Sequence, residues 1–309
     1  MPEPQTLSSG PTEAQKAACS WAFAGVYEDP QPLVGTIGIL KYGGNGGSHF
    51  VQSIPGALIF NIDHTPVVHF PLRASMWPLV INNRVIEPNP QAPTDLSRAL
   101  SVDLTFEKVL DKIDLLVKAA REGKPRPTGI VFDTVDALIE LIKKYLCEKA
   151  GVDVFSDAPF KAWNALHNQF WDRVYWPLKW AGYAIVLVVQ LYDEPIQVTG
   201  ADGKATTKIV PNSSILSDKF FKRIKDACNV VGKIERHEEE KGSLVNGKWE
   251  TKPVRGRRMI FADKLLGDLV KARTGLPDVL DISGPDPYQK YATAYLAAAN
   301  SDIENAKRS

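Results

Sequence analysis

The chain has 309 residues, of which 44% are hydrophobic and 24% charged, and its formal net charge is +1 at pH 7. These values are ordinary for a globular protein and provide no global attraction toward nucleic acid or membrane surfaces. Cys19, Cys147 and Cys228 lie far apart without paired spacing, which indicates a reducing compartment. With no signal-peptide pattern and no apolar run long enough to span a bilayer, the sequence predicts a cytoplasmic protein without a membrane partner.

Short apolar runs alternate with helical patterns, which predicts an α/β fold made of βαβ units. The predicted strands lie near residues 34–40, 57–63, 129–133, 183–190, 230–235 and 258–261. The predicted helices lie near residues 106–117, 138–146, 160–180, 215–227 and 288–299. Asp202-Gly203 and Asn246-Gly247 predict hairpin turns. Five prolines within residues 71–104 predict a long surface excursion.

A glycine cluster follows the first predicted strand and consists of Gly43, Gly44, Asn45, Gly46 and Gly47. It is arranged like a phosphate-binding loop of the pattern G-x-x-x-x-G-K-[ST], whose backbone N–H groups approach phosphates. Counted from Gly43, Ser48 stands at the second glycine, His49 at the lysine and Phe50 at the Ser/Thr position. Taken alone, the cluster is equally compatible with a plain glycine-rich turn.

Two polar residues end later predicted strands. Asp133 follows a buried strand, at the sheet edge where α/β proteins bind ligands. In P-loop enzymes such an aspartate holds Mg²⁺, whereas the alternative is a cap for the helix that begins near Thr134. Gln190 ends the next strand and is interpreted either as a sensor of a γ-phosphate or as an amide that satisfies the strand end.

The order of these elements resembles that of the phage-encoded RecA-like (AAA/P-loop) ATP-binding proteins, a class associated with single-strand annealing and recombination. The matching stretches are residues 41–47, 62–63, 130–134, 185–190, 229–232 and 270–277, so the resemblance covers about residues 34–277. It implies a RecA-like P-loop core over residues 33–277, with a mainly parallel sheet flanked by helices. An N-terminal segment would then occupy residues 1–32, and a helical tail residues 278–309. For a phage-encoded chain, the compartment would be the host cytoplasm.

The departures from the family pattern fall on its catalytic positions. His49 is shorter than lysine and mostly neutral at pH 7, and Phe50 cannot bind Mg²⁺. Ser48 places a Cβ where the loop needs glycine. Thr65 stands where the family has a glutamate that orients the attacking water. No residue is therefore assigned a catalytic role, and ATP with Mg²⁺ is expected to bind weakly or not at all.

Two groups of basic residues remain. The resemblance implies that Lys271 and Arg273, in a Lys-x-Arg-x-Gly element, reach toward the γ-phosphate site of a neighbouring subunit, where cations stabilise transferring charge. The alternative is a solvated basic turn. Beside the second hairpin, a basic patch for DNA phosphates is predicted from Arg255, Arg257 and Arg258.

Aromatic and imidazole side chains offer weaker signals. At helical spacing lie Trp163, Trp171, Trp176 and Trp180, around Arg173 and Lys179. Such a stripe is typical of a helix core, and the alternative is stacking of single-stranded bases. His49, His64 and His69 match no known metal-binding spacing.

The sequence therefore predicts a phage recombination or replication accessory protein on a RecA-like scaffold whose nucleotide site does not hydrolyse ATP. Its expected partners are single-stranded DNA and either further copies of itself or an active ATPase. One alternative is an atypical, DNA-dependent ATPase in which His49 replaces the lysine. Another is a structural interaction protein that uses no nucleotide.

Overall fold

The computed structural model describes residues 36–62, 79–81, 84–87, 100–103, 105–124, 127–157, 160–199, 205–213, 218–245, 248–262, 269–272 and 275–308. These residues fall into two compact units. The first contains the described residues of Pro55–Phe132 and Ala137–Ile185. The second contains those of Val34–Ile54, Asp133–Asp136 and Val186–Ser309.

The described chain contains both strands and helices. The strands are β1 (Ile37–Lys41), β2 (Leu58–Asn61), β3 (Leu79–Ile81), β4 (Arg84–Glu87), β5 (Leu100–Asp103), β6 (Gly129–Asp133), β7 (Ala184–Thr199), β8 (Ala205–Ser213), β9 (Val230–Val245), β10 (Lys248–Ile260) and β11 (Val279–Asp281). The helices are α1 (Gly47–Gln52), α2 (Phe106–Arg121), α3 (Val135–Ala150), α4 (Phe160–Asn168), α5 (Trp176–Trp180), α6 (Asp218–Ala227) and α7 (Pro287–Arg308). A π-helical segment, Gln169–Tyr175, connects α4 to α5.

The second unit is organised around β1, which pairs in parallel with β7 on one side and β9 on the other. Its strand order is β11-β10-β9-β1-β7, and β8 pairs with β7. The apolar side chains of β1 and of residues 185–189 in β7 are fully buried, as strands covered on both faces require. The register places Lys41, the last residue of β1, opposite Gln190 and Ile234. The glycine loop therefore starts at the carboxyl end of the central strand.

In the first unit, β6 lies next to β2, and Phe60 stacks on Phe132 with ring centroids 5.1 Å apart. Helix α2 begins because Oγ1 of Thr105 accepts the backbone N–H of Lys108, which caps the first turn. The apolar face of α2 is buried along its length. Its backbone is further held by the Tyr183 hydroxyl, which donates to the Leu116 carbonyl at 2.9 Å.

The predicted α/β fold, with a mostly parallel sheet flanked by helices, β-hairpins and a C-terminal helix, is confirmed. Both predicted hairpins form, as the antiparallel pairs β7–β8 and β9–β10, although their turn residues lie outside the described residues. The strands β7 and β9 are longer than predicted because their ends extend into these hairpins.

Two predicted segments differ from the structure. Residues 71–104, expected to be a surface excursion, contain the antiparallel sheet β3-β4-β5. The five prolines of this stretch all lie outside its three short strands, so they remove no backbone N–H from the strand pairing. The helix predicted over residues 160–180 is present, but its middle is π-helical. The predicted segment 1–32 lies outside the described residues.

The predicted C-terminal tail contributes a strand as well as a helix. β11 pairs with β10, and α7 extends from Pro287 to Arg308. Among the described residues, no helix has the length and apolarity needed to cross a bilayer.

Candidate functional site

The loop between β1 and α1 takes its shape from glycines. Gly44 and Gly46 have φ angles of 80° and 92°, in the left-handed region that other residues rarely adopt. The Asn45 N–H donates to the Tyr42 carbonyl and closes the turn. A Cβ built on Gly43 or Gly44 would meet open space. The first half of the loop is therefore accessible, whereas the second half lies under two cationic side chains.

The first of these cations is Lys41. Its side chain passes so close to Gly47 that a Cβ there would lie 2.6 Å from Cδ of Lys41. Lys41 Nζ donates to Asp133 Oδ1 at 2.8 Å and to Ser48 Oγ at 3.1 Å. The Lys41 and Asp133 side chains are only 7% and 2% exposed. Lys41, the last residue of β1, thus supplies an ammonium group beside the loop, although His49 stands at the position of the loop lysine.

Asp133 was predicted as the Mg²⁺ ligand, and its surroundings allow a test of fit. Mg²⁺ requires a near-octahedral shell of oxygen ligands. Here one ammonium group contacts both Oδ1 of Asp133 and Oγ of Ser48, and a positive charge at that position opposes a second cation. Phe50, at the position of the Mg²⁺-binding hydroxyl, has no oxygen to offer. As placed, these residues do not fit a magnesium ion.

Phe50 and His49 contribute to packing. Phe50 is fully buried and lies edge-on to Tyr288 and Tyr291, with centroid distances of 6.0 and 5.9 Å. Nε2 of His49 lies 3.4 Å from the carbonyl oxygen of Gly284. Ser53 Oγ accepts the N–H of Tyr288 at 3.1 Å. The short helix α1 is therefore held against the start of α7. Thr65 lies outside the described residues.

The second cation at the loop is Arg257, in β10. A Cβ on Gly46 would clash with Arg257, because Cδ of that side chain would lie only 2.8 Å away. Arg257 Nε is buried and has no hydrogen-bond partner among the described residues. Burial, and then the nearby charge of Arg236, lowers the pKa of Arg257. The backbone of Arg257 is fixed by Ser283, whose Oγ accepts its N–H at 2.8 Å.

The other two arginines of the predicted DNA-binding patch form ion pairs. Arg255 Nε donates to Glu238 at 2.6 Å, and the Arg255 side chain is 85% exposed. Arg258 bonds Glu235 at 2.6 Å and is partly exposed. The three arginines are thus near each other in β10, but Arg257 contacts the glycine loop and the other two contact carboxylates of β9.

Tyr42 fixes the start of the loop. Its hydroxyl donates to Asp193 Oδ1 at 2.7 Å, and Lys233 Nζ lies 5.4 Å from the centroid of its ring. Burial, reinforced by the hydrogen bond to Asp193, raises the pKa of Tyr42. Tyr42 therefore keeps its proton and acts as a hydrogen-bond donor at neutral pH.

Gln190 lies at the carboxyl end of the parallel part of β7, as predicted, and its side chain is exposed. Its backbone N–H donates to Oδ2 of Asp136 at 2.7 Å, and Asp136 is 2% exposed. Asp136 therefore ties the first turn of α3 to β7. This contact gives the backbone N–H of Gln190 a hydrogen-bond partner and does not involve the Gln190 side chain. The role of that side chain as a phosphate sensor stays a prediction.

Lys271 contacts its own chain. Its Nζ donates to the carbonyls of Cys228 at 2.6 Å and Lys225 at 3.3 Å, at the C-terminal end of α6, where cations are favoured. The backbone N–H of Lys271 donates to the Val231 carbonyl, and the Lys271 carbonyl accepts the N–H of Val231. Arg273 lies outside the described residues. The role of this pair across a subunit interface stays a prediction.

The tryptophan-rich segment belongs to the first unit and is divided between core and surface. Trp171 is fully buried, whereas Trp180 is 78% exposed and stacks on Trp176 with an interplanar angle of 18°. Trp163 is 46% exposed. The described residues contain no cluster of three His, Cys, Asp or Glu side chains suited to a metal, and His64 and His69 lie outside them.

Sequence reasoning missed Lys41 and the position of Arg257. Both were visible as basic residues, but nothing in their local sequence indicated contact with the glycine loop.

A family model described as "AAA domain" matches residues 39–264, which is most of the chain and includes the loop, Asp133 and Arg257. A comparison with curated proteins finds no match.

Proposed function

The chain belongs to the AAA domain family, and from this premise we propose that it binds a nucleotide at the glycine loop without hydrolysing it. The observation that carries the proposal is the buried pair formed by Lys41 and Asp133. It holds an ammonium group beside the loop, where a phosphate can be bound. It also engages the carboxylate that a hydrolytic site would need for Mg²⁺.

The absence of turnover is supported by three positions of the sequence. His49, Phe50 and Thr65 replace the lysine, the hydroxyl and the glutamate of the related pattern. Loss of a single group that stabilises transition-state charge costs several kcal/mol, and about 1.4 kcal/mol corresponds to a tenfold change in rate. Together these replacements account for a site that binds without catalysis.

A specific observation favours a second candidate, a working but atypical ATPase. Lys41 supplies an ammonium and Ser48 a hydroxyl within 3.1 Å of each other, both from positions shifted relative to the usual pattern. In this alternative Lys41, and not His49, takes the place of the missing loop lysine. Movement of Lys41 away from Asp133 on nucleotide binding would then be required.

We further propose that the chain acts as an accessory protein of phage DNA recombination or replication, with single-stranded DNA as partner. Support comes from the exposed Arg255 of β10, because a surface ion pair is weak and its glutamate can be exchanged for a DNA phosphate. Arg258, which is partly exposed, is close to it in the same strand. The exposed Trp180 offers a face for base stacking. The same proposal includes assembly of the chain with further copies of itself or with an active ATPase. The competing interpretation is a structural interaction protein that binds no nucleotide.

Turnover is tested first, by steady-state phosphate release from ATP with and without single-stranded DNA. We expect a rate indistinguishable from that of the Asp133→Ala variant. Release that is present in the natural chain and disappears in Asp133→Ala would establish the atypical ATPase.

Binding is tested by calorimetry with ATP, and DNA affinity with a labelled oligonucleotide at two salt concentrations. Weak ATP binding, on the order of millimolar, and a DNA affinity that falls as salt rises are expected. A chain that binds neither would be a structural interaction protein.

A further inference from the structure

We propose that Arg236 and Arg257 form an anion site beside the glycine loop and that this site binds a phosphate group of the nucleotide. The two guanidinium groups come from the neighbouring strands β9 and β10. This inference rests on the proposed function, because it identifies which side chains recognise the charge of a ligand bound at the same loop.

The strand register places both arginines next to the loop. β1 ends at Lys41, which lies opposite Ile234 of β9. Arg236 lies two residues further along β9 and on the same face as Ile234, because side chains alternate between the two faces of a strand. Arg257 lies directly opposite Arg236. Its side chain contacts the loop, since a Cβ on Gly46 would lie 2.8 Å from Cδ of Arg257.

The charges of the two arginines are not balanced by a nearby acid. Like charges directly opposite each other in an antiparallel pair are destabilising. On the same face of β9 the next acid is Glu238, which Arg255 already binds at 2.6 Å. Within the described ranges, neither Arg236 nor Arg257 forms an ion pair. Burial, and then the charge of Arg236, lowers the pKa of Arg257, as expected for two cations held close together. The pair is therefore suited to attract an anion.

Arg257 also has a donor that the described part of the chain leaves unused. Its Nε atom is buried there without a hydrogen-bond partner, although buried polar atoms are usually hydrogen-bonded. The backbone of Arg257 is fixed on both sides, because its N–H donates to Ser283 Oγ at 2.8 Å and its carbonyl accepts the N–H of Ile282 at 2.9 Å. The side chain as a whole is partly exposed, so an anion has access to the guanidinium group.

A phosphate group matches this pair in charge and in shape. It carries up to two negative charges and several acceptor oxygens, and a guanidinium group binds two of these oxygens with parallel hydrogen bonds. Two guanidinium groups side by side therefore suit one doubly charged phosphate. Gly43 and Gly44 leave the start of the loop open, because a Cβ built on either residue meets nothing within 4 Å. The loop itself does not obstruct a nucleotide on that side.

ATP binding to the full chain is measured by phosphorus NMR titration, which suits weak affinities and observes the phosphate groups directly. Arg236→Gln and Arg257→Gln should each weaken ATP binding about tenfold, the loss of one charge-assisted contact. The control is Arg121→Gln, an exposed residue at the end of α2, which makes the same change in net charge and should have no effect. Inorganic triphosphate should compete with ATP for the natural chain and lose affinity in both arginine variants.

Thermal unfolding without ligand separates binding from a structural role. Because either substitution removes a contact between like charges, Arg236→Gln and Arg257→Gln should unfold at the same temperature as the natural chain or at a higher one. A lower unfolding temperature in the variants that lose ATP affinity would overturn the inference, because the arginines would then act by holding the fold together.

Three further results would also overturn it. Unchanged ATP affinity in either arginine variant would refute the shared site and leave the proposed nucleotide binding intact. Weaker binding of a single-stranded oligonucleotide with unchanged ATP affinity would assign the arginines to DNA phosphates instead. Absence of ATP binding by the natural chain would refute both the site and the proposed function.

Discussion

Lys41 Nζ donates a hydrogen bond of 2.8 Å to Oδ1 of Asp133, although 92 residues separate them in the sequence. The pair joins the end of β1 to the end of β6 inside the second unit. Both side chains are buried, where a charge that loses its counter-charge is costly. This contact therefore links two strand ends that are distant in the sequence, at the start of the glycine loop.

Replacement of one member of this pair should be costly. Lys41→Met leaves the Asp133 carboxylate buried without its counter-charge, and a loss of about 3–5 kcal/mol in the free energy of unfolding is expected. The double variant Lys41→Met with Asp133→Asn should recover much of that loss. Urea denaturation followed by circular dichroism measures both values. A Lys41→Met chain as stable as the natural one would show that the pair is unimportant for stability.

Two loop glycines permit a matched comparison. Gly47→Ala should destabilise the protein by about 1–3 kcal/mol, because the new methyl would lie 2.6 Å from Cδ of Lys41. Gly43→Ala introduces the same methyl into open space and should change stability by less than about 0.5 kcal/mol. Thermal unfolding of both variants tests this difference. Equal melting temperatures would mean that the Lys41 side chain does not occupy the space beside Gly47.

Lys271 allows a structural role to be separated from an intersubunit role. Lys271→Ala removes contacts with the carbonyls that end α6 and should cost about 1 kcal/mol of stability. If Lys271 and Arg273 also act across a subunit interface, the double variant Lys271→Ala with Arg273→Ala should lower the oligomer mass measured by light scattering. Alternatively, it should lower the affinity for single-stranded DNA, measured at two salt concentrations. A change in stability with neither of these effects would leave only the structural role.

Glu235 should make stability depend on pH. Its partial burial raises the carboxyl pKa, but hydrogen bonds from Lys233 and Arg258 outweigh this, so its pKa in the folded protein is below the ordinary value. A lowered pKa means that the stabilisation is complete above the unfolded pKa of about 4.3 and is lost as pH falls through the folded pKa.

Glu235→Gln should therefore reduce stability at pH 7 by on the order of 1 kcal/mol, with a difference that shrinks as the pH falls below about 4. Denaturant titrations at several pH values measure it. Glu148→Gln, an exposed residue of α3, is the control. A difference that stays constant down to pH 3 would contradict the role of the ionised carboxylate.

Periodicity predicted most elements of the fold because their signals are local. β6 and the central part of β7 are unbroken apolar runs, and α2 has a regular apolar face with a threonine cap. The partners of Lys41 and Arg257 are not local. A lysine at the end of an apolar strand indicates only that the strand is ending, and an arginine in a polar hairpin indicates a solvated surface. Their contacts with the loop arise from strand order, which sequence patterns did not specify.

Phe50 is completely buried against Tyr288 and Tyr291. Exchange of this ring for the threonine of a hydrolytic loop would empty a packed space, at a cost of about 3–5 kcal/mol, and would bury a hydroxyl in its place. A Mg²⁺-binding hydroxyl at position 50 would therefore require repacking against the start of α7 in addition to the substitution itself.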